Sequence, residues 1–139
     1  MNLSSIVYAA LALALVLGCG PSGVNAQSAA PKENKGFTAS KTTTVDLGPE
    51  IEGMNGRQLR LRVLTIEPGG HIGLHSHKDR PAVVYLLQGT DTVILEDGTA
   101  KTLHPADTST AMKDTTHWHR NDGNDAVLLI AVDIFHVSK

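Results

Sequence analysis

Residues 69–89 read GGHIGLHSHKDRPAVVYLLQG, and this stretch decides the fold. His75 and His77 stand two apart with Ser76 between them. In a strand, residues two apart share a face, so both imidazoles would point to one side. The run 82–87 is β-branched, aromatic and aliphatic without a break. Such a run predicts a strand buried on both faces. Gln88 and Gly89 close it. Before the histidines, Glu67-Pro68-Gly69-Gly70 predicts a turn.

Working outward, the same strand-and-turn rhythm continues. Leu59, Leu61 and Val63 alternate with Arg60 and Arg62, a period of two with one dry face. After Gly89 come a strand at 92–95, the turn Glu96-Asp97-Gly98, a weaker strand at 108–112 and another at 115–120. Asn121-Asp122-Gly123-Asn124 turns the chain into a long apolar strand, 126–137. No segment carries a helical period of useful length. Short strands at regular spacing, punctuated by Gly, Asn and Asp, predict an all-β sandwich or barrel over residues 43–139.

The N-terminal segment reads differently. Residues 6–17 are apolar apart from Tyr8, twelve residues in all, which suits the core of a signal peptide better than a membrane span. Val24-Asn25-Ala26 offers a cleavage site, giving a signal peptide over 1–26. Val16-Leu17-Gly18-Cys19 offers the competing reading, a lipobox that leaves a lipid anchor on Cys19. Either way the expectation is export, to the periplasm or beyond. Cys19 is the only cysteine, so the domain has no disulfide framework. Residues 27–42, rich in Ser, Ala, Lys and Thr, predict a flexible leader.

Twelve Lys and Arg stand against fourteen Asp and Glu, a formal charge of −2. No basic surface argues for nucleic acid. Seven histidines are the unusual feature. His117 and His119 repeat the two-apart spacing around Trp118, so two pairs are placed to converge on one ion. Imidazole suits first-row divalent metals.

The spacing Gly69-x5-His75-x-His77, then x11-Gly89, resembles the first motif of the cupin superfamily. His117-x3-Asn121, with Pro105 upstream, resembles the heart of the second. The resemblance spans about residues 57–134. It implies a jelly-roll barrel with a divalent ion inside, iron, zinc, manganese, nickel or copper, on His75, His77 and His117. It also implies pairing into a homodimer, and chemistry in which dioxygenase and isomerase reactions both occur. Two departures stand out. The family's Glu ligand is replaced by Ala82, and the Gly usual before the second-motif His is absent, with Asp114-Thr115-Thr116 in its place. Three neutral imidazoles leave the ion its full charge, which favours an anionic substrate, a small organic acid or diketone.

Four further residues enter as candidates. His119 has the inward parity for proton transfer or a fourth ligand. His71 shares the parity of His75 and is expected at the rim of the site. Arg80 reads either as a surface charge or as a clamp on a substrate carboxylate. Tyr85 reads as barrel wall or pocket lining. Trp118 is expected to face away from the ion, and Asn121 to cap the turn after its strand. The function classes left open are a metal-dependent enzyme, a non-catalytic binding module for a small ligand or metal, and a barrel kept for structure.

Overall fold

The computed structural model describes residues 29–137. Residues 1–26, read above as a signal peptide, and Cys19 with them, lie outside the described residues. Eight strands run in chain order: β1 (Lys35–Asp46), β2 (Arg57–Ser76), β3 (Ala82–Gln88), β4 (Asp91–Leu95), β5 (Ala100–Leu103), β6 (Thr108–Ala111), β7 (Thr116–Arg120) and β8 (Val127–His136). There is no helix among the described residues. All pairings are antiparallel, in the order β5-β4-β7-β2-β8-β3-β6, with β1 also on β2. The all-β barrel expected from the strand rhythm is what forms.

The twenty-residue β2 organises it. Its first half, 57–66, pairs with β8, and its second half, 71–76, pairs with β7. The segment read as a turn, Glu67-Pro68-Gly69-Gly70, is therefore a corner inside one strand. Gly69 there has φ +71, and a Cβ on Gly70 would sit 2.7 Å from the Lys35 carbonyl oxygen. Proline and glycine make the bend, as in a turn, but the ladder resumes on a different neighbour. Between the two halves lies the core: Leu64, Ile66, Leu86 and Leu129 from one side, Ile72 and Val93 from the other.

Three further expectations are corrected. Leu59, Leu61 and Val63 do not form the dry inner face. Leu59 and Leu61 are each 38 % exposed, while Leu64 and Ile66 are buried on the parity shared by Arg60 and Arg62. The inner face of β2 thus runs from apolar to cationic. Nor is the run 82–87 buried on both sides. Val83, Tyr85 and Leu87 face out, because period-two alternation puts Ala82, Val84 and Leu86 inside. The second half of the leader expected to be flexible over 27–42 is instead a strand: from Lys35 it is β1, paired with β2 from Lys35↔His71 to Asp46↔Gln58. Its side chains are nearly all exposed, so backbone hydrogen bonds rather than an apolar stripe hold it in place.

Candidate metal centre

β2 delivers His75, the loop after it delivers His77, and β7 delivers His117, with His75 directly opposite His117 in the ladder. Their nitrogens converge. Nε2 of His75 and Nε2 of His77 are 3.1 Å apart, as are Nε2 of His117 and Nε2 of His77. Among the described residues these three form the one group of metal-ligating side chains with all ligand atoms within 4.8 Å of each other.

The hydrogen bonds on the far edges of the rings decide what this convergence means. Nδ1 of His75 lies 2.8 Å from the Gly73 carbonyl oxygen, and Nδ1 of His77 lies 2.9 Å from that of Arg80. A carbonyl only accepts, so each Nδ1 carries the proton. In the neutral ring, each Nε2 then carries a lone pair. The rings are neutral because burial pushes the His75 pKa down to about 4 and that of His117 down to about 2, with neighbouring imidazoles adding to the effect. Burial also lowers His77, against the opposing Arg80 carbonyl. Two lone pairs facing each other at 3.1 Å repel, and a cation between them removes the repulsion. An ion about 2.1 Å from both nitrogens would subtend roughly 95°, closer to an octahedral edge than to a tetrahedral one. The three residues therefore fit a divalent first-row ion with open positions. Neither Ala82, which lines the same cavity, nor the exposed Asp79 adds a carboxylate.

The cavity at this cluster is about 260 Å³ and encloses His119, Arg62 and Arg80 along with the three histidines. His119 is buried beside them, its ring 4.7 Å from that of His117 and stacked 6.0 Å from that of His75. It stands outside the tight trio. Its Nδ1 is 2.8 Å from Oδ2 of Asp91, a carboxylate with no solvent exposure. His119 pairs across the ladder with Val93, which puts Asp91, two residues earlier, on the same inward face.

Arg80 is neither a free surface charge nor an uncommitted clamp. Its Nη1 reaches Oδ2 of Asp133 at 3.2 Å. Arg60 grips the same carboxylate with Nε at 2.9 Å and Nη2 at 2.7 Å, and Nη2 of Arg62 adds a contact at 3.2 Å. Burial works to raise the Asp133 pKa, but the three guanidiniums outweigh it and hold the group below its ordinary value. Burial lowers the Arg62 pKa, and its Nε has no partner. Of these arginines Arg62 and Arg80 line the cavity with Asp133, two guanidiniums to one carboxylate, which leaves this wall with a positive surplus. Reading the sequence missed Asp91, Arg60, Arg62 and Asp133.

Two candidates fall away from the cavity. His71 pairs with Arg120 and does not line it. A bulge between Ile72 and His75 inserts one residue, which flips the parity upstream and turns Ile72 inward instead. Tyr85 is 41 % exposed on the outer face of β3. Trp118 faces away from the histidines, as expected, and is buried with the Arg120 guanidinium over its ring at 5.6 Å. Asn121 holds its turn: its Oδ1 accepts from the Gly123 amide, and its Nδ2 donates to the carbonyls of Ile66 and Asp125.

A model of the cupin domain matches residues 62–133, more than half of the chain. The chain belongs to the cupin family. Solved structures with this fold include a protein with a double-stranded β-helix domain from Klebsiella pneumoniae, 18 % identical over 58 % of this chain and 76 % of that chain, at a TM-score of 0.52. A predicted oxalate decarboxylase from Thermotoga maritima is 19 % identical over 78 % of this cupin and 96 % of its own length, at 0.54. A recombinant oxalate oxidase in complex with glycolate is 18 % identical over 73 % and 55 %, at 0.52. These likenesses establish the shared barrel. Among curated proteins no sequence matches this cupin.

Proposed function

We propose that this cupin is a metal-dependent oxidoreductase of the dioxygenase type, acting on a small organic acid or an enolised diketone. The observation that carries the reading is one cavity holding both parts: a trio of neutral imidazoles fit for a divalent ion, and a wall on which the Arg62 and Arg80 guanidiniums meet the single Asp133 carboxylate. When bound, the ion supplies Lewis-acid and redox chemistry. The chain's own residues do the rest. Arg62 and Arg80 line the cavity and bind the anionic end of the substrate. His119, braced by Asp91, accepts a proton at Nε2. Leu64, Val84 and Leu129 give the cavity apolar walls that limit water. The volume suits a ligand of a few heavy atoms.

The test is oxygen uptake by the metal-replete chain across small carboxylic acids and diketones, against a His75→Ala, His77→Ala control. Uptake that requires both histidines supports the reading. The second reading is a non-catalytic module that captures a small anion, favoured by Ala82 standing where a carboxylate ligand is usual. Tight binding of an acid without oxygen uptake selects it. The segment 1–26 supports work outside the cytoplasm, and the mass of the mature N-terminus distinguishes cleavage after Ala26 from lipidation of Cys19.

The outer face of the β2-β8-β3-β6 sheet supports a homodimer. Leu59 and Leu61 are each 38 % exposed there, and Val83 52 %. The outward positions of these strands from Leu59 to Thr65, Leu128 to Ile134, Val83 to Leu87 and Thr108 to Thr110 include no charged residue. Four strands about 4.8 Å apart and about six residues long make a face of roughly 400 Å² in projection. Side-chain relief raises that toward the roughly 800 Å² per partner of a standard interface. An uncharged sheet face of this kind suits a second copy of itself across a two-fold axis.

A further inference from the structure

Residues 31–34 run along β2 beside the histidine cluster. The Leu74 amide donates to the Pro31 carbonyl at 2.7 Å, and the Gly73 amide donates to Oδ1 of Asn34 at 2.8 Å. The approach is close enough to require a glycine. A Cβ on Gly73 would stand 2.5 Å from the Lys32 carbonyl oxygen and 3.0 Å from that of Glu33. Gly70, three residues earlier, is bare in the same way against the carbonyls of Lys35 and Gly36. Pro31 suits its place, since it has no amide to leave unpaired and its carbonyl is the group used. Lys32, Asn34 and Phe37 line the cavity that holds the three histidines. A stretch that composition reads as leader is thus a wall of the site.

These contacts fall where β2 has least other support. Its ladder with β7 is irregular between Ile72 and His75, so residues 73 and 74 sit in the bulge. The peptide joining them is one planar unit. Its N–H is the Leu74 amide held by Pro31, and its C=O is the Gly73 carbonyl, 2.8 Å from Nδ1 of His75. Whatever fixes the plane from the N–H side also fixes the carbonyl against which the His75 ring rests. Residues 31–34 themselves contribute nothing to the ligand cluster. We propose that residues 31–34 are a strap that positions His75 for a divalent ion, with Asn34 as its positioning residue. This rests on the metal-binding reading of the three histidines and extends the site to the leader. Coupling of this kind is reciprocal: the docked strap raises metal affinity, and the bound ion holds the strap down.

The test uses Zn²⁺ and the metal-free protein with residues 27–42 intact. Competition with a chromogenic chelator reads the affinity, and amide hydrogen exchange reads the strap. Asn34→Ala removes the acceptor for Gly73, whereas Gly73→Ala drives the strap off with Asn34 still in place. Each should weaken zinc binding about tenfold, the low end for the partner of a metal-bound histidine. The double variant should lose no more than the weaker-binding single variant, because one strap is displaced only once. Asn34→Asp keeps an acceptor oxygen and should bind zinc as the unaltered protein does. In the unaltered protein, zinc should slow exchange of the Leu74 amide more than that of the β5 amides, which lie away from the cavity.

Zinc affinity unchanged in Asn34→Ala or Gly73→Ala overturns the proposal and leaves the metal centre standing. So does an equal loss in Asn34→Asp, or losses that add in the double variant. A Leu74 amide that responds to zinc no more than β5 does also overturns it. Absence of zinc binding by the unaltered protein overturns the metal reading and this proposal together. The exchange measurement needs no variant, so it decides the matter even where a substitution unfolds the chain.

Discussion

Replacing Asp133 by Asn keeps the shape of the side chain and removes its charge, at the point where three arginines meet. The unaltered carboxylate is 1 % exposed and takes four contacts between 2.7 and 3.2 Å, two of them a paired grip by Arg60. The arginine side chains are 18, 19 and 27 % exposed. Breaking a fully buried ion pair from one side costs about 3–5 kcal/mol. Here the guanidiniums reach some water, which places the loss at the lower end, about 3 kcal/mol. For a domain of this size that lowers Tm by roughly 10–20 °C. Urea unfolding of the metal-free chain measures it at neutral pH. The sign with pH is fixed by the depressed Asp133 pKa. Its stabilisation is present above the unfolded value of 3.8 and is lost as pH falls through the lower folded value. The gap between the two proteins should therefore close in strong acid. Arg60→Leu added to Asp133→Asn should recover part of the loss, since one uncompensated charge is removed. A loss under about 1 kcal/mol, or a gap unchanged down to strong acid, would refute the account of this wall.

Acid should also act through the histidines. His75 and His117 have folded pKa values of about 4 and about 2 against an ordinary 6.5, so the unfolded chain binds more protons. Stability of the metal-free chain should fall as pH drops below 6.5, and a pH series of urea melts on His75→Ala should show a visibly shallower fall. Ala82→Glu returns a carboxylate to the cavity wall, paired across from Asp133. Metal retention against a chelator should rise about tenfold or more while acid binding weakens, read by competition with a chromogenic chelator and by titration. Val83→Lys, on the uncharged outer face, should shift the protein from dimer to monomer in sedimentation without changing metal content.

The barrel was legible because turn residues and short β-favouring runs alternate along most of the chain. What was not legible has physical causes. β1 carries Ser, Thr and Lys on exposed faces, so it has no apolar period to betray it. The corner at Gly69-Gly70 uses the same residues as a turn, and only the change of ladder partner tells them apart. The outer face of the main sheet is as apolar as its inner face, so hydrophobicity pointed Leu59 and Leu61 the wrong way. His75, His77 and His117 were readable from spacing and family likeness together. His71 was misplaced by one bulge that no residue type announces. Asp133 meets arginines from positions 60, 62 and 80, contacts made across strands far apart in the chain. One clue was present: Arg60 and Arg62 share parity with the buried Leu64 and Ile66. Asp91 gave no signal beyond being an acid at the start of a strand.

The convergence of three imidazole nitrogens on one point is the centre of the account, and metal content tests it most directly. The purified domain, refolded with first-row divalent metals and dialysed, is analysed by elemental mass spectrometry beside the His75→Ala, His77→Ala variant. The account predicts close to one ion per chain in the first and almost none in the second. Metal-free parent protein under these conditions, or equal metal in a folded variant, would contradict it.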